Sequence, residues 1–286
     1  MKLLTSITAL STVCLLSGCV IAINPAKADV HIKKELTLSA QQLQKLTITT
    51  GAGLLVINGE NNTDSIKVIA DIYSDNDNLD NVQLSLTENH NQANLIAKMD
   101  VSHGFWQGNS PHIDIKISLP HNLSLNINDG SGDIDITNIG ADINLTDGSG
   151  NIELASINGN LTIDDGSGDI QLKAIQGNVD INDGSGGLYV KNIQGNMKII
   201  DGSGDIGIKH IRGNVNINDN SGSIAAKDIQ GNIDIVDGSG DLSVKNVTKK
   251  VTINDGSGDI NVKNIGQLNI SESGSGGVYL DNISAK

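Results

Sequence analysis

Aromatic residues are almost missing from this chain: it has one Phe, one Trp and three Tyr in 286 residues. A globular core built on rings is excluded. The apolar burden falls on Ile, Leu and Val, which suit strands. Proline is nearly as scarce, at 3, while glycine reaches 33. That balance suits many tight turns in a regular array. The two cysteines are Cys14 and Cys19, so residues 29–286 hold no disulfide and no cysteine metal site. Basic residues are in deficit as well: 19 Lys+Arg against 33 Asp+Glu leave a formal net charge of -14. Phosphate binding needs the opposite balance, so nucleic acid is not an expected partner. Attachment to anionic lipid through charge is disfavoured for the same reason. After residue 28 no apolar run is long enough to span a bilayer as a helix.

Residues 1–28 read as an export signal: Met1-Lys2 is weakly basic, and a mostly apolar stretch runs from Leu3 to about Ile23. Two cleavage readings compete. Leu16-Ser17-Gly18-Cys19 has the form of a lipobox, in which Cys19 is acylated and becomes the new N-terminus. Several fatty chains at Cys19 would anchor the protein to a membrane, and the absence of Asp after Cys19 favours the outer membrane. Ala26-Lys27-Ala28 is a small-x-small site, and cleavage there would release a soluble chain starting at Asp29.

From Asp129 the chain repeats every 18 residues, in nine rows, as Asp-Gly-Ser-Gly-Asp-Ile-x-Ile. Such a period marks stacked coils. Counting each row's first residue as zero, positions 5 and 7 are aliphatic, as in Ile134 and Ile136. Position 10 is Ile or Val throughout. Positions 14 and 16 form a second alternating pair, as in Ile143 and Leu145. Asp-Gly-Ser-Gly makes one corner, and a frequent Gly-Asn, as in Gly177-Asn178, makes the other. The predicted fold is all-β: a right-handed parallel β-solenoid of 18-residue coils over residues 129–286. Residues 29–128 lack the repeat but hold strand-like alternation. They are expected to form an irregular β region capping the open end of the stack.

Candidate functional residues are few. Phe105-Trp106 is expected in a loop tip, where it either binds a sugar or protein or tucks over the end of the stack. His103, His112 and His121 are spaced nine apart, without the compact pairs that zinc favours. The position-0 Asp row, from Asp129 to Asp255, is expected on the outside, each Asp capping its own Gly-Ser-Gly turn. Weak Ca²⁺ binding along it is left open, although Ile134 stands where a calcium β-roll needs a ligand. No cofactor is expected. Position 8 is Lys in six successive rows: Lys173, Lys191, Lys209, Lys227, Lys245 and Lys263. This stripe solvates the face and blocks sideways pairing, or grips an acidic polysaccharide.

The Asp-Gly-Ser-Gly-Asp-Ile-x-Ile repeat, preceded by Ile113-Asp114-Ile115-Lys116-Ile117-Ser118-Leu119-Pro120, resembles a bacterial adhesin-like domain family of unknown function. That family is DUF4097, close to the DUF2807 head domains. The resemblance covers roughly residues 40–286 and implies a β-solenoid in an exported protein. It carries no functional residue set. The expected function is a non-enzymatic envelope lipoprotein with an adhesive or structural surface, meeting an envelope glycan or protein. A cation-dependent or polysaccharide-binding module is the alternative. A polysaccharide-degrading enzyme is disfavoured, because the coils carry no insertions to build a cleft and Trp106 is the only Trp. End-to-end self-association is left open by the lack of an obvious cap after the last row.

Overall fold

The structure, a computed structural model, describes residues 30–74, 79–100 and 111–284, and its regular elements are all β-strands. The repeat region forms a parallel β-solenoid, as expected. At the N-terminal end, chain order and spatial order part company. β1 (Val30–Ser39) leads to β2 (Lys45–Thr50), β3 (Leu55–Glu60), β4 (Ser65–Ser74), β5 (Val82–Asn89), β6 (Gln92–Met99) and β7 (His112–Pro120). β2 and β3 make one coil, with Thr50-Gly51-Ala52-Gly53 at the corner that later rows fill with Asp-Gly-Ser-Gly. β6 and β7 make another. β2 lies parallel between β6 and β8 (Ser124–Asn128), and β3 lies parallel between β7 and β9 (Ile134–Thr137). The coil made first in sequence is therefore second in the stack. Beyond the β6–β7 coil the direction reverses: β5 pairs antiparallel with β6, and β4 with β7 and then β1. The outermost strand β1 carries Lys33, Lys34 and Glu35, all exposed, and charges on an edge strand discourage pairing with another chain.

The sequence break at residue 129 is thus not a break in the structure. β8 stacks in register on β10 (Ile143–Asp147), and β9 on β11 (Ile152–Ile157). Residues 29–128 are less irregular than their lack of a repeat suggests, since β2–β3 and β6–β7 are coils of the same stack. The pattern continues through β12 to β20, residues 161–237, each strand pairing with the next but one. Two ladders result, one through β8 and β10 and one through β9 and β11.

Inside, the aliphatic positions stack on their own kind. Ile152, Leu154, Ile157, Leu161 and Ile163 are each 0–1% exposed, and the rows through the one that starts at Asp237 repeat this burial. Ile157 needs a device to face inward, because strict alternation from Leu154 would turn it out. Ser156 supplies it with φ 60°, a left-handed residue that shifts the parity by one. The same position in every row has φ between 52° and 62°, and it is mostly Asn, Asp or His, the types that tolerate that conformation. Ala174, at φ 59°, is an exception with no side chain to help. Ala174→Asn is expected to stabilise the rod by about 1 kcal/mol, read as a raised urea midpoint. Ala155→Asn, one position earlier in the preceding row, should not.

The second corner is held by its own side chains. Asn160, Asn178, Asn196, Asn214 and Asn232 each accept the backbone N–H of the residue one coil on, at 2.9–3.2 Å. Where Lys249-Lys250 replaces Gly-Asn, strand pairing runs on through the corner, which keeps its register with the coil before it. β21 (Leu242–Asp255) and β22 (Ile260–Ser273) each run unbroken for 14 residues. Their pairing slips by one between Val247 and Lys250, so Leu268 and Ile270 meet Val251 and Ile253. On β23 (Val278–Ile283), Val278 and Leu280 are 41% and 53% exposed, at positions that are closed inside the stack.

Candidate binding face and the buried aspartate column

The lysine stripe is a true column. Lys173, Lys191, Lys209, Lys227, Lys245 and Lys263 face one another strand to strand on the outside of the β11 ladder. Neighbouring strands lie about 4.8 Å apart. Adjacent unit charges at that distance repel by about 1 kcal/mol even in water. Lys263 relieves this by pairing with Asp281 at 2.7 Å. Among the described residues, the other five have no carboxylate partner.

Position 6, two residues back on the same strands, forms the column beside it: Glu153, Gln171, Tyr189, Gly207 and Ala225. Tyr189 is 50% exposed. Its ring rests over Gly187 and Gly207: a methyl on Gly187 would come within 2.9 Å of Cε2, and one on Gly207 within 3.2 Å of Cδ1. The ring, the flat floor at Gly207 and Ala225, and the stems of Lys173, Lys191, Lys209 and Lys227 enclose an open groove of about 460 Å³. Toward the N-terminal end the same face turns acidic, with Asp133, Asp135, Glu153 and Asp169 around a second hollow. Tyr189 was not among the residues expected from sequence. A signal for it exists: glycine fills position 4 only at Gly187 and Gly277, the two rows whose position 6 is tyrosine, Tyr189 and Tyr279.

The position-0 aspartates are not on the outside. Asp129, Asp147, Asp165, Asp183, Asp201, Asp219, Asp237 and Asp255 are 0–5% exposed and form a column inside the corner. They continue the inward set of the preceding strand: in β10, Ile143, Leu145 and Asp147 all point in. The expected turn-capping does occur. Asp183, Asp201, Asp219, Asp237 and Asp255 each accept, through Oδ1, the backbone N–H of the serine two residues on, at 3.1–3.2 Å. The Oδ2 atoms of these five have no partner. Burial, the nearer carboxylates, or both push the acids up. Asp129, Asp201, Asp219 and Asp237 rise to about 6, and Asp165, between Asp147 and Asp183, to about 7. Burial is the first cause in each case, and the turn's N–H groups pull part of the shift back. Hydroxyl residues, Thr50 and Ser273, take the same column at its two ends. An outward carboxylate row open to Ca²⁺ is replaced by an internal one, and among the described residues no three His, Cys, Asp or Glu form a metal-holding group.

The histidines are dispersed. His112 stacks on Tyr73 at 4.6 Å between ring centroids, and His31 covers the other side of Tyr73 at 4.7 Å. His121 lies at the second corner, where its carbonyl accepts the Gly140 N–H. His103, Phe105, Trp106 and Cys19 lie outside the described residues.

Fold and surface together define a stacked-repeat protein whose recognisable features lie along a flank rather than in a cleft. The chain belongs to the Toastrack family, DUF4097, whose model matches residues 21–230. Among solved structures, it is similar to a candidate lipid binding protein from Parabacteroides distasonis, at 20% identity over 88% of this chain and 97% of that one, TM-score 0.45. A candidate adhesin from the same species is 14% identical over 87% and 96%, TM-score 0.41. A candidate cell adhesion protein from Clostridium sporogenes is 12% identical over 88% and 99%, TM-score 0.38. Comparison with curated proteins finds no match.

Proposed function

We propose that this protein is a non-enzymatic binding rod of the cell envelope, an adhesin-type module that meets its partner through the lysine face. The observation that carries this reading is the run of five neighbouring lysines without carboxylate partners among the described residues, on a chain of net charge -14. An acidic protein gains nothing in stability from such a column, whereas an anionic partner relieves its repulsion. Coils that repeat at 18 residues without inserted loops support binding over catalysis, since no long loop from them walls off a reaction cleft. Attachment to the outer membrane through a lipid on Cys19 completes the reading.

Two measurements test it. The rod, incubated with cell-wall fractions and a glycan panel, should bind saturably and weaken steeply with salt. Turnover of any panel member, or no binding at all, overturns it. Mass analysis of the mature N-terminus should find acylated Cys19; a free Asp29 removes the anchor.

A further inference from the structure

We propose that the groove over Tyr189, Gly207 and Ala225 is a subsite for a linear carboxylated polysaccharide lying along the rod axis. This rests on the reading of the lysine face as a binding surface and names its ligand class.

Three features converge. The first is the ring. Tyr189 is half exposed on a floor that has been cleared for it by Gly187 and Gly207. A ring laid over glycines on the outside of a sheet presents a flat apolar surface, of the kind that the C–H face of a pyranose covers. The second is the wall. Lys173, Lys191, Lys209 and Lys227 bring a cationic head alongside that floor at every strand. Four lysines at about 4.8 Å spacing span about 14 Å. That is the length of roughly three sugar rings in an extended chain, with a cation near each ring. The third is the pair of limits. Toward one end Glu153 and Asp135 repel an anion, and toward the other Lys245 is half-buried and Lys263 is taken by Asp281. The strip is therefore short and bounded, which suits an oligosaccharide segment with one carboxylate per ring or per two rings.

The groove is open, so weak binding at low salt is expected, with affinity coming from repetition along a polymer. The ring and the lysines act differently: lysine loss should flatten the salt dependence, and ring loss should not.

The test uses the full exported chain and hexamers of oligogalacturonate as probe, with neutral cellohexaose as control, titrated by calorimetry at low salt. Binding to the acidic hexamer and none to the neutral one is expected. Tyr189→Ala should weaken it at least tenfold with an unchanged salt slope. Lys191→Gln with Lys209→Gln should weaken it at least tenfold and reduce the slope. Gly187→Ser, which installs the residue type of Ser223 in the same column, should displace the ring and weaken binding while leaving the fold intact. Lys198→Gln, on the other ladder, should change nothing. Unaltered melting curves confirm that the variants fold. If the rod binds wall fractions but these variants do not alter it, the subsite is wrong and the binding rod stands. If neither the hexamer nor the wall fractions bind, both fall. Equal binding of polyphosphate that survives Tyr189→Ala also overturns the carbohydrate assignment.

Discussion

Gly186→Ala is expected to disrupt the middle of the rod, at a cost of at least about 4 kcal/mol. Two effects add. Gly186 sits at φ 142°, which L side chains rarely adopt. An alanine methyl there would also collide with the carbonyl oxygen of Gly168, one coil back. That oxygen belongs to a corner stacked on every neighbouring corner, so it has nowhere to go. The same glycine recurs from Gly132 to Gly258 with φ between 128° and 148°. Because each coil is stabilised only by its neighbours, the damage should split the stack instead of merely lowering its overall stability. A lowered urea midpoint, loss of a single cooperative transition and new proteolytic cuts near residue 186 are the expected readings. Gly207→Ala is the control. Gly207 faces outward with an ordinary φ, its added methyl would press only on the Tyr189 ring and touch the Leu188 carbonyl at an ordinary 3.8 Å, and the next row already has Ala225 there. That change should stay within about 0.5 kcal/mol. Equal losses in the two variants would show that the corner geometry is not what requires glycine at position 186.

What was legible in the sequence followed from periodicity. The coil, its two strands and its inward aliphatics come directly from an 18-residue count with alternation inside it. Three things were harder to see. The coils at β2–β3 and β6–β7 share no repeat motif, because loops and antiparallel strands between them destroy the period while the stacking survives. The inward turn of Ile139 and its equivalents depends on a left-handed residue at Asn138, which alternation alone cannot show. The aspartate column was misplaced because Asp reads as a turn residue on its own. Counted forward from Leu145 instead of backward from Gly148, Asp147 belongs to the inner wall. The groove was half visible: the lysine column was plain, but Tyr189 became informative only when its row was compared with rows that keep a polar residue in place of Gly187.

The buried column also makes the rod's stability depend on pH, in the direction opposite to that of ordinary salt-bridged carboxylates. Asp201 and Asp219 are raised from 3.8 to about 6, and Asp165 from 3.8 to about 7. Between the unfolded and folded values the native chain holds more protons than the unfolded one, so stability falls as pH rises. The rod should be most resistant to urea near pH 4, lose resistance steadily from there to about pH 6 to 7, and then level off. Net negative charge weakens it in the same direction, so wild type alone does not isolate the column. Asp201→Asn does. The amide keeps an Oδ1 to accept the Ser203 N–H and offers N–H donors toward the partnerless Oδ2 atoms of Asp183 and Asp219. A one-unit shift corresponds to about 1.4 kcal/mol. Part of that shift expressed as stability gives an expected gain of about 1–2 kcal/mol at pH 7.5, shrinking toward zero as pH falls to about 4. Asp201→Asn with Asp219→Asn should gain less than the sum, because each change already relieves its neighbour. A single variant that loses stability at pH 7.5 would show that the carboxylates are compensated by something other than protons.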